Sequence, residues 1–177
     1  MQLKPQDTLL ALKQWSLNHT RIISNVREIA LSLDISASEV SKSRKRLLAS
    51  HILVDRSGGF YIESTALTEW LCYGVRYAYP QESIGYGRGL ATSWNCSVLK
   101  SEMQPLNPAW VWAMPHGDQK GVLIEPFHKS VPFAANKDDN LYQALSLLEA
   151  IRGGKPRELS IARDLLANLI KGANGKL

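Results

Sequence analysis

Lys42, Arg44, Lys45 and Arg46 crowd into the run Ser-Lys-Ser-Arg-Lys-Arg at 41–46, with Ser38 just upstream and Arg56-Ser57 a short way downstream. Cations interleaved with short hydroxyls suit a polyanion. Lysine and arginine donate to phosphate oxygens or guanine edges, and serine bonds either backbone or bases. The bland alternative is a solvated helix face with no partner, which charge runs often are. A helical wheel at about 100° per residue separates the two faces of a helix over 37–50. Ser38, Ser41, Lys42, Lys45 and Ala49 fall on one side, with Val40, Ser43 and Leu47 opposite. Arg46 sits at the edge of the polar face. Arg44 lies nearer the core side, from where its stem can cross to a phosphate.

Other constellations carry less chemistry. Gly85, Gly87 and Gly89 with Arg88 look superficially like a phosphate loop, but no Gly-Lys-Ser/Thr ending follows, so they read as a flexible loop. Asp118, His128 and Ser130 make a nominal triad without a nucleophile-elbow motif around the serine. Cys72 and Cys96 lack Cys-x-x-Cys spacing and read as free structural thiols. His19, His51, His116 and His128 contain no i, i+4 pair to hold a metal. Trp94, Trp110 and Trp112 read as core, an effector pocket or partner groove beside Arg88 being the alternative. The expectation is a protein that is not an enzyme and uses no cofactor or metal.

Charge points to the same third of the chain. Of the net +5, residues 1–62 hold nine bases against five acids, and the remainder twelve against eleven. A polyanion therefore docks on the N-terminal third. The 177 residues are 45% hydrophobic, enough for one substantial core or two small ones. No apolar run approaches the roughly 20 residues that span a bilayer, and MQLKPQDTLL lacks the order of a secretory signal. The expected compartment is the cytoplasm, without membrane contact.

The elements that must position the basic run follow from periodicity. Leu9, Leu10, Leu12 and Trp15 predict a first helix from about Asp7. Val26, Ile29, Ala30 and Leu33 predict a second, capped by Ser24 or Asn25. A turn at Asp34 precedes Ser36-Ala37-Ser38-Glu39, a capping box that starts the third helix. Ile52–Asp55 and Phe60–Ile62 flank a glycine turn and predict a hairpin. Small Ala30 at the helix crossing, the turn at Asp34 and the apolar anchor Val40 have helix-turn-helix spacing. Aspartate at that turn tolerates positive φ better than most residues. Three helices followed by a hairpin make the winged-helix order.

Downstream, the pattern predicts a helix over 64–77, a long loop over 80–108, a second hairpin over 110–124, and helices over 138–152 and 156–171 that form a helical hairpin. The fold class is mainly α with small β hairpins: a winged helix-turn-helix over 1–63, then a C-terminal α+β region over 64–177 for dimerisation, effector or partner binding.

The stretch VREIALSLDISASEVSKSRKRLLASHIL resembles the winged-helix DNA-binding domains of bacterial regulators of the MarR and IclR type. The tail EPFHKSVPFAANKDDNLYQALSLLEAIRGGKPRELSIARDLL is similar to that of bacterial winged-helix regulators encoded beside nucleotidyltransferase-like proteins, in toxin–antitoxin arrangements. The resemblance implies an autoregulating repressor with a protein partner on residues 64–171. The expected partners are double-stranded DNA, a second copy of the chain through the C-terminal helical hairpin, and a nucleotidyltransferase-like toxin. The expected DNA contacts are Ser38, Ser41, Lys42, Arg44, Lys45, Arg46, Arg56 and Ser57. The competing expectation is an antitoxin or adaptor whose winged helix makes protein contacts only.

Overall fold

Pro5 opens α1 (Pro5–Thr20), a position where its fixed φ suits the first turn and its missing N–H removes nothing. The Asp7 carboxylate accepts the Lys4 backbone N–H at 2.8 Å. Residues 7–12 and 14–17 are all buried, so α1 is surrounded by protein and shows no single apolar stripe. These observations come from a computed structural model that describes residues 2–99 and 101–172.

α2 (Val26–Leu33) starts on a reciprocal box, in which Asn25 Oδ1 accepts the Glu28 N–H and Glu28 accepts the Asn25 N–H. It stops at Asp34, whose φ of 50° is the left-handed turn expected there. α3 (Ala37–Ala49) begins where Ser36 Oγ accepts the Glu39 N–H at 3.1 Å. The return arm of the predicted box is missing. Glu39 Oε1 instead accepts from Gln6 and Arg46, which are charged or fixed partners and win it from the Ser36 N–H. β1 (Leu53–Arg56) and β2 (Gly59–Ile62) then pair antiparallel from Leu53↔Ile62 to Arg56↔Gly59, as predicted.

α4 (Ser64–Glu69), a π-helical turn at Trp70–Gly74 and α5 (Val75–Ala78) continue one helical path, close to the predicted 64–77. Two elements differ from the sequence pattern. Within the predicted loop 80–108 runs β3 (Ser83–Ala91), followed by short 3-10 turns at Ser93–Asn95 and Ser97–Leu99. β4 (Trp110–Ala113) and β5 (Gln119–Ile124) do not form a hairpin with each other. Each pairs antiparallel with β3, and between themselves they pair in parallel at Trp110↔Val122 and Val111↔Leu123. The sheet thus closes on itself, with Gly89 matched to both Ala113 and Gln119.

The glycines make this closure possible. A Cβ on Gly89 would lie 1.9 Å from the Trp112 carbonyl oxygen, and one on Gly117 would lie 2.3 Å from the Gly89 backbone. Backbone crosses backbone there, and only hydrogen fits. A sparse apolar pattern with repeated glycine resembles a loop in sequence because the contacts it serves are made by main chain.

α6 (Val131–Ala135), which periodicity did not reveal, leads to α7 (Asp139–Gly153) and α8 (Pro156–Gly172), the predicted helical hairpin. Asp138 caps α7 by accepting the Leu141 N–H at 3.1 Å. The same carboxylate meets Lys13 Nζ at 2.8 Å and Ser16 Oγ at 2.9 Å, tying α7 to α1. On α7, the buried Glu149 and Arg152 pair at 2.8 Å. Arg152 also donates to the carbonyls of Tyr79, Pro80 and Glu125, while Trp112 Nε1 donates to Glu149. One pair therefore gathers α7, the end of α5, β4 and the residue after β5.

The result is a mixed α/β molecule, predominantly helical, with sheets of two and three strands. A single hydrophobic cluster runs from Leu9 through Leu47, Leu71 and Leu148 to Ile170, so packing is continuous across residues 63 and 64. Among the described residues, no helix is long and apolar enough to cross a membrane.

Candidate nucleic-acid interface

The two faces of α3 separate as the wheel predicts. Val40, Ser43 and Leu47 are buried against α1 and α2, and Ser38, Ser41, Lys42, Lys45 and Ala49 are exposed. Lys42 and Lys45 form no ion pair among the described residues. Ser41 Oγ donates to the Ala37 carbonyl at 3.1 Å, which leaves its lone pairs facing outward as acceptors. The exposed surface therefore presents two cations among small polar groups.

Arg46 departs from the predicted contact set. Its Nε and Nη2 each lie 2.7 Å from the Asp7 carboxylate, and Nη2 also meets Glu39 at 2.7 Å and Ser43 Oγ at 3.0 Å. A guanidinium forked onto one carboxylate and capped by a second has few donors left for phosphate. The Asp7 hydrogen bonds raise its affinity for the proton above the ordinary arginine range, against the opposing effect of burial. Glu39 is held below its ordinary range, first by the Gln6 hydrogen bond and next by Arg46. Arg46 positions α3 on α1, and the signal that would have assigned it lay in pairing across thirty-nine positions of sequence.

Arg44 points away from the lysine face, as expected. Its guanidinium lies over the Phe60 ring of β2, 4.4 Å from the centroid, and its Nε has no hydrogen-bond partner among the described residues. Burial lowers its affinity for the proton. Arg56 and Ser57 stand exposed at the hairpin tip, where Gly58 and Gly59 take φ of 114° and 136°. The predicted residues thus divide among three places: the lysine–serine face of α3, the α3–hairpin junction, and the tip.

Residues that sequence reasoning missed hold the hairpin in place. Gln14 Nε2 and Asn18 Nδ2 both donate to the Phe60 carbonyl, at 3.0 and 3.1 Å, and Asn18 Oδ1 accepts the Ile62 N–H. Both lie on α1 one turn apart, which is the only trace they leave in sequence.

The alternative sites disperse. Trp94 and Trp112 are buried core and Trp110 is half-buried, while Arg88 on β3 is exposed. Ser130 Oγ donates to the Asp34 carbonyl and its backbone N–H donates to His128 Nδ1, so the hydroxyl serves packing of α6 on the α2–α3 turn. Cys72 and Cys96 are free and buried, and burial pushes the Cys72 thiol up to about 11. No family model, no curated protein and no solved structure matches this chain.

Proposed function

We propose that the chain is a sequence-specific DNA-binding transcriptional regulator of winged helix-turn-helix architecture. α2, the turn at Asp34 and α3 are the helix-turn-helix, and the β1–β2 hairpin is the wing. The observation that carries this reading is the exposed, unpaired Lys42 and Lys45 beside Ser38 and Ser41, on a helix whose opposite face is fully packed. A major groove admits such a helix, and lysine and serine reach base edges or phosphates from it. Arg56 and Ser57 reach the flanking backbone or minor groove from the tip.

Two copies on half-sites roughly 34 Å apart would supply the discrimination that one small module lacks. The reading is of a cytoplasmic dimer that represses its own gene. The expected interface is the C-terminal helical hairpin, where half-buried Leu159, Ile161, Leu165 and Leu169 of α8 lie among exposed Arg157, Ser160, Asp164, Asn168 and Lys171. The test is a fluorescence titration against fragments of the gene's own upstream region and a scrambled duplex, at about 150 mM salt. Tight binding to one native fragment supports the reading, and equal weak binding to both overturns it.

One observation favours a second reading, an antitoxin or adaptor that docks a protein such as a nucleotidyltransferase-like toxin. Ile23, just before α2, is 91% exposed and Leu31, on α2 itself, is 68% exposed, both apolar. Under that reading, DNA affinity is weak and unchanged by Lys42→Ala and Lys45→Ala.

A further inference from the structure

Between the end of α1, the 21–24 loop and the β1–β2 hairpin lies a groove of about 900 Å³, with Arg44 of α3 in its wall. Leu17, Ile22, Phe60 and Tyr61 give it apolar sides, and Arg56 stands at its hairpin edge. We propose that this groove binds an organic anion, with a carboxylate head at Arg44 and an aliphatic or aromatic body against the apolar sides.

Arg44 is a partly buried cation whose Nε has no hydrogen-bond partner among the described residues. The other partly buried cations are satisfied: Lys13 by Asp138, Arg46 by Asp7 and Glu39, Arg152 by Glu149, and Arg76 and Arg163 by backbone carbonyls. Arg44 alone among these has neither a carboxylate nor a hydrogen bond among the described residues; its buried Nε is unpartnered and its guanidinium lies over the Phe60 ring. A half-desolvated guanidinium without an anion is costly, and the cost is recovered when one arrives. Phe60 holds the guanidinium plane in place, while Gln14 and Asn18 fix the strand that carries Phe60. The cation is therefore presented on a rigid support.

The sides of the groove decide what the anion carries. Ile22 is 56% exposed beside Leu17, Phe60 and Tyr61, so a ligand with an apolar body covers surface that now meets water. A bare phosphate chain leaves those apolar sides in water. The volume falls within the range of small-molecule sites, roughly 300–1,000 Å³. The second, smaller cavity near Cys72 lacks this feature, because its Arg163 already donates to the Cys72 carbonyl and lies over Tyr73.

The test is calorimetric titration of the full chain, without DNA, so that its outcome is independent of the regulator reading. Octanoate and octanol share a chain and differ in the head, and naphthoate offers an aromatic body. The expected result is single-site binding of at least one acid, with octanol about tenfold weaker than octanoate or undetectable. Arg44→Met weakens the acid about tenfold or more, Arg44→Lys restores part of the loss, and Arg157→Met on α8 changes nothing. The proposal is overturned if neither acid binds, if octanol matches octanoate, or if Arg44→Met leaves affinity unmoved. Should Arg44→Met fail to fold by circular dichroism, the acid–alcohol comparison on the unaltered chain decides alone.

Discussion

Arg46 of α3 grips the fully buried carboxylate of Asp7 on α1 through two hydrogen bonds of 2.7 Å, with Glu39 closing the group from two turns earlier. Removing one partner of such a pair strands the other's charge in the interior, which costs about 3–5 kcal/mol. Arg46→Met is therefore expected to lower unfolding free energy by about 3 kcal/mol or more. A urea titration measures it. A loss below about 0.5 kcal/mol, the level of an ordinary surface change, would show that the fork contributes little.

Lys42 and Lys45 have the opposite character. Exposed and unpaired, they should be replaceable by alanine with a stability change within about 0.5 kcal/mol. On duplex DNA, each lysine that neutralises a phosphate contributes about −0.9 to the slope of log affinity against log salt. The double variant should bind more weakly and with a shallower salt slope. An unchanged slope would remove both residues from the phosphate contact set.

Asp138 links stability to acid. Burial raises its proton affinity, but the Lys13 ion pair, the Leu141 N–H and the Ser16 hydroxyl outweigh this and hold it below the ordinary carboxylate range. The folded state thus binds this proton less readily than the unfolded chain does. Its contribution is fully present above the unfolded value, about 4, and is lost as pH falls through the folded one. Asp138→Asn should destabilise the protein at neutral pH and flatten the fall in stability below about pH 5. Denaturant titrations at a series of pH values check both, and a variant as acid-sensitive as the parent would contradict the assignment.

Gly89 and Gly85 should respond differently to alanine. At Gly89 the new methyl meets the Trp112 carbonyl at 1.9 Å, a clash of main chain that side-chain motion cannot relieve. A loss of about 3 kcal/mol or more is expected, with β3–β4 pairing disrupted. At Gly85 nothing lies within 4 Å, and only the φ of 132° opposes a side chain, so about 1–2 kcal/mol is expected. Thermal melts of the two variants should rank in that order.

Legibility in the sequence followed the range of the interactions. The three N-terminal helices, the first hairpin and α7–α8 were readable because caps, glycine turns and apolar spacing act within a few residues. The exposed face of α3 was readable for the same reason: Val40 and Leu47 define its back. β3 was not, since its shape depends on main-chain contact between Gly89 and residues far along the chain. The direction of β5 relative to β4 was likewise set by a third strand. Arg46 looked identical in type to its neighbours, and Asp7, brought near by folding, joins Glu39 in drawing it away from the solvent. Gln14 and Asn18 carried no signal beyond their spacing.

α1 meets α3 through Asp7, the π-helical turn through Thr8 and Trp70, α7 through Lys13, Ser16 and Asp138, and the hairpin through Gln14 and Asn18. It is an axle with every wheel keyed to it. A chain cut after residue 63 would bare the flank of α1 that Trp70 and α7 cover. In the whole chain, α7 and α3 are bonded to the same helix, α1, at opposite ends of its buried stretch.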